Sequence, residues 1–86
     1  MRVLQIDATP NPDSMKLTLD FDKEGSRSST YDRVEEDNPK FINDLLQIEG
    51  VRSLFHAINF VTVDKKPDYE WEQLIDQVVD TIDNQE

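Results

Sequence analysis

The chain has 86 residues, of which 36% are hydrophobic and 33% charged, with a formal net charge of −10 and no cysteine. A length of this order sets the expectation of one domain, residues 1–86, with a modest core. The acidity argues against nucleic-acid and anionic-membrane partners, because a phosphate surface repels it, and the lack of cysteine removes disulfides, thiol catalysis and cysteine-bound zinc or iron–sulfur clusters from this chain.

No run of about 18 apolar residues occurs, so no membrane helix is expected. The segment from Met1 to Asp7 lacks the apolar stretch of a signal peptide,. The expectation is a soluble, cytoplasmic, monomeric protein. Its apolar residues gather in periodic segments, as in a folded chain.

Met1 to Ala8 alternates, with Leu4, Ile6 and Ala8 on one side, and reads as a strand,. Thr9-Pro10-Asn11-Pro12-Asp13-Ser14 breaks it, and Asn11 to Ser14 suits a type I turn with proline at its second position,. Met15 to Phe21 alternates again as a second strand, with Met15, Leu17, Leu19 and Phe21 inward. Asp22 to Asp37 is polar, contains Gly25 and three serines, and reads as the mobile part, anchored by Tyr31 and Val34 with room for a short edge strand,.

Asn38-Pro39 reads as a helix start with asparagine at the cap. Phe41, Ile42, Leu45, Leu46 and Ile48 form its stripe, and Gly50 supplies a left-handed end, which predicts a helix over Pro39 to Glu49,. Val51 to Val63 is rich in β-branched and aromatic residues. It reads as a hairpin turning near Ala57-Ile58-Asn59, with Asn59 the residue suited to positive φ,. Asp68 is the expected cap of a last helix, on which Trp71, Leu74, Ile75, Val78, Val79 and Ile82 share one face,. The predicted fold is α+β in two layers: a four-stranded, mostly antiparallel sheet with two helices on one face, in the order ββαββα.

Catalytic patterns are lacking. His56 is the single histidine and has no triad partners in view,. A structural or surface histidine outweighs a metal ligand supported by Asp7 and Asp64. The carboxylates are scattered, and two glycines cannot build a phosphate-cradling loop,. Neither an enzyme nor a resident cofactor or metal is expected. Glu72, Asp76 and Asp80 recur at helical spacing on the last helix. They read first as a solvated face and second as a dock for a basic partner,.

The uncovered side of the sheet is the better candidate. If the helices cover Leu4, Ile6, Leu17, Leu19, Phe55 and Val61, the other side holds Gln5, Lys16, Thr18, Arg52, Leu54, His56, Phe60 and Thr62,. Lys16 and Arg52 suit it to a protein segment, or to an acidic or phosphorylated ligand. An ordinary solvated sheet face is the competing reading. The expected contact residues are Lys16, Arg52 and His56, joined by Thr18 and Phe60, with Asn11 and Ser14 from the first turn.

The run Thr9-Pro10-Asn11-Pro12-Asp13-Ser14-Met15-Lys16 resembles the signature of the Nfu/NifU-type N-terminal domain. Leu45 to Phe55, Phe60-Val61-Thr62-Val63 and Trp71 resemble later parts of that family in the same order. The resemblance covers nearly the whole chain. It implies a two-layer α+β fold and a role in protein contacts, with iron–sulfur assembly proteins as candidate partners. In that family a separate domain with Cys-x-x-Cys holds the cluster. This chain has no cysteine and reads as a stand-alone version without carrier activity of its own. Ala57-Ile58-Asn59 stands where the family often has Gly-Pro-Asp, so a different hairpin turn is expected.

Overall fold

The computed structural model describes residues 1–22 and 28–85. Its elements are β1 (Val3–Ala8), β2 (Ser14–Leu19), β3 (Ser29–Tyr31), α1 (Lys40–Leu46), β4 (Val51–Ala57), β5 (Phe60–Lys65) and α2 (Trp71–Asp83). The strands form one sheet in the order β1-β2-β5-β4-β3, with antiparallel neighbours throughout. The expected α+β class and the two helices are present, but the sheet has five strands where four were predicted. The fifth is β3, whose Ser29, Thr30 and Tyr31 pair with His56, Phe55 and Leu54. It is the short edge strand for which Asp22 to Asp37 left room, although three residues in a polar segment are too few to display an alternation,. Tyr31 packs on the core as expected, whereas Val34 is 48% exposed and is not among the described residues packed on it. The mobility expected around Gly25 concerns residues 23–27, outside the described residues.

Leu17 and Leu19 of β2, Val61 and Val63 of β5, and Val51 and Leu54 of β4 form one apolar surface. Phe41, Ile42 and Leu45 of α1 and Val78 and Ile82 of α2 close over it. Both helices therefore cover the same sheet face, as their stripes require. Ile6 lies opposite Leu17 in register but is 42% exposed, because β1 is an edge strand. Leu4 falls where the β1–β2 register shifts and is 64% exposed, so neither residue is part of the buried surface expected of them.

The helix ends differ from expectation in detail. Asn38 does not cap α1; Pro39 occupies the cap position. The Asn38 amide instead donates to the Arg33 carbonyl and to Asn43 Oδ1, while Asn43 Nδ2 donates to the Glu35 carbonyl. This knot of amides organises the approach to α1. The helix stops at Leu46, short of the predicted Glu49. Beyond it, the Ile48 and Val51 amides bond carbonyls three residues back, and Gly50 adopts φ +102°,. The cap of α2 is Glu70, not Asp68. Glu70 and Gln73 exchange side-chain-to-backbone hydrogen bonds in a capping box,. In the β4–β5 turn the positive φ, 44°, belongs to Ile58 and not to Asn59. Asn59 contributes its carbonyl, which accepts the Leu19 amide at 2.7 Å.

Candidate functional site

The first turn is built by its own polar groups. Thr9 Oγ1 donates to the Asn11 carbonyl and accepts the Asn11 amide; Asn11 Oδ1 accepts the Asp13 amide at 2.9 Å. The Ser14 amide closes the expected turn on the Asn11 carbonyl at 3.0 Å. Proline at 10 and 12 removes two donors that this arrangement does not use,. The turn is then tied to the body. Trp71 Nε1 donates to the Pro12 carbonyl at 3.0 Å, and the Lys65 amide donates to the Asp13 carbonyl at 2.8 Å. Lys65 is buried, and its ammonium meets Asp13 Oδ1 at 2.9 Å. Asn11 is thus exposed but occupied in holding the turn. Ser14 is buried, and its hydroxyl is bonded to Asp64.

The turn delivers β2 into the middle of the open face. Residues opposite one another across antiparallel strands point the same way, so the registers define rows. One row is Asp7, Lys16, Thr62, Phe55 and Thr30. The next is Gln5, Thr18, Phe60 and Ala57. A third row on the same face is Ser14, Asp64 and Ser53, where Asp64 accepts hydrogen bonds from both hydroxyls. Lys16 Nζ stands 4.6 Å from the centre of the Phe60 ring, a cation–π contact,. Phe55 lies 6.1 Å from Phe60. Lys16, Thr18 and Phe60 therefore share the face that no described helix covers, as expected.

Arg52 is exposed, at the bulge that shifts the β4–β5 register between Val51 and Ser53. Among the described residues it has no carboxylate within ion-pairing distance. That bulge corrects the rest of β4. An extra residue on one strand reverses the phase of every side chain beyond it. Val51 faces the helices, and so do Leu54 and His56, while Phe55 turns to the open side. His56, predicted on the open face beside Lys16 and Arg52, is 2% exposed. It lies 5.2 Å from the Phe41 ring, edge to face, and stacks at 6.2 Å on Phe21. It belongs to the core and is withdrawn from the surface trio.

Lys16 shares the open face with the carboxylates of Asp7 and Asp64. That face is a mixed aromatic and polar surface. Asp64 and Phe55 were missed in the sequence: β5 runs two residues past Val63, and the bulge leaves no mark in the alternation. Three open depressions of roughly 400–420 Å³ occur elsewhere on the surface, and none of these three is lined by Lys16, Arg52 or His56.

Electrostatic contacts on the helix side are local. The Lys40 ammonium, 2.7 Å away, holds the Asp44 carboxyl below its ordinary range, with help from the Gln85 amide of the α2 end. The Tyr69 hydroxyl donates to Glu49 Oε1 at 2.7 Å, and this bond raises its pKa above the usual phenolic value. Among the described residues no cluster of histidine, aspartate and glutamate side chains is arranged to hold a metal, and no helix is long and apolar enough to cross a membrane.

A two-layer α+β domain with a self-locked Thr-Pro-Asn-Pro turn feeding an uncovered sheet face is the class that these observations define. The family model described as "Scaffold protein Nfu/NifU N terminal" matches residues 4–85, and the chain belongs to this family. It is 40% identical over 85 residues to "Conserved virulence factor C" of Staphylococcus haemolyticus, an alignment covering 99% of this chain and 23% of that protein. It is 45% identical over 78 residues to the protein of the same description in Staphylococcus aureus strain MRSA252, covering 91% and 21%. The chain thus spans less than a quarter of the length of these curated relatives. Among solved structures it resembles the crystal structure of Staphylococcus aureus protein SAV1430, with a TM-score of 0.93, 43% identity, and coverage of 95% of this chain and 99% of that one. A solution structure from Staphylococcus epidermidis gives a TM-score of 0.70 at 35% identity, covering 96% of each chain.

Proposed function

We propose that this chain is a non-enzymatic protein-interaction module that serves iron–sulfur cluster assembly as an accessory. The observation that carries this reading is the family match over residues 4–85 in a chain that has no cysteine. Without thiolates it has no cysteine ligands for a cluster, so its part is contact with proteins that have them. The open sheet face supports the reading, because Phe55, Phe60 and Lys16 lie together on the central strands, with Arg52 exposed at the β4 bulge. Half-buried aromatics flanked by charge are the composition of contact surfaces. In this reading the module acts in the cytoplasm as a monomer, and its acidity keeps nucleic acid and anionic membranes away.

The test is affinity capture from native lysate, with the chain and a Lys16→Glu/Phe60→Ser variant as parallel baits and mass spectrometry as readout. Circular dichroism verifies that the variant is folded. The expected result is recovery of iron–sulfur assembly proteins by the unaltered chain and their loss with the variant. Recovery no greater than that of an unrelated acidic bait would overturn the proposal.

A further inference from the structure

We draw no further inference here: the strongest candidate, the open sheet face that bears Lys16, Arg52, Phe55 and Phe60, belongs to the site already described, and nothing in the structure shows what covers it.

Discussion

Gly50 shows how one residue can be committed twice. Its φ of +102° belongs to the region that side chains disfavour,. A Cβ built there would stand 2.8 Å from the Tyr69 ring and 2.9 Å from Leu74. Backbone strain and a collision with α2 therefore coincide, and Gly50→Ala should lower stability by about 1–3 kcal/mol. Urea unfolding of the variant measures this, and an unchanged midpoint would show that the loop relaxes freely. Next to it, Tyr69 couples the same corner to pH. The neutral hydroxyl donates to Glu49, whereas ionisation would set two anions side by side,. Because the folded pKa is raised, the contribution is complete below the ordinary value of 10.0 and is lost as pH rises through the folded value,. In a Tyr31→Phe background the phenolate absorbance should titrate above that ordinary value, and Glu49→Gln should bring the midpoint back down. A midpoint that ignores Glu49→Gln would mean the bond is not kept in solution.

At the scale of elements, the connection between β1 and β2 is a strut. Its contacts reach β5 through Lys65 and α2 through Trp71. The Lys65 ammonium is almost inaccessible, and Asp13 compensates it from a position still 38% exposed. Removing Asp13 leaves a buried cation, whereas removing Lys65 leaves a carboxylate that water can solvate. Asp13→Ala should therefore cost about 1–3 kcal/mol, less than the ~3–5 kcal/mol of a fully buried pair, since Asp13 keeps contact with solvent,. Lys65→Met, which keeps the apolar stem, should stay within about 1 kcal/mol of the parent. Equal losses in chemical denaturation would assign the stability to packing alone. The strut was half legible. The proline positions and the Asn11–Ser14 turn follow from local rules, but its partners at 65 and 71 lie more than 50 residues away in the chain.

For the molecule as a whole, the strand order puts stability in the middle. β5 lies between β2 and β4, and Leu17, Leu54, Val61 and Val63 on these three strands are fully buried. β3 is a three-residue edge beside an exposed segment, and β1 is the other edge. Native-state hydrogen exchange should therefore protect the β5 amides most and those of β3 least. Comparable protection of β3 and β5 would show that the edge belongs to the cooperative unit. Lys16 and Phe55, which face the open side, lie on β2 and β4, the two strands that flank β5, so the proposed contact surface rests on the middle of the sheet.

The sequence by itself determined the two helices, the alternation from Met15 to Leu19, the signature turn and the exclusion of cysteine chemistry, because each depends on residues close together or on composition; Phe21, expected inward, lies beyond β2 and is 40% exposed. The stripe from Trp71 to Ile82 and the pattern from Met15 to Leu19 are periodicities that an isolated segment already carries,. Only the tertiary structure decided the faces of β4. An extra residue near Arg52 is accommodated by the partner strand, and no local property of Val51 to Ala57 announces it,. That single register shift turned Phe55 outward and drew His56 in between Phe21 and Phe41. The pairing of β3 and the burial of Lys65 have the same origin: both depend on where distant strands come to lie.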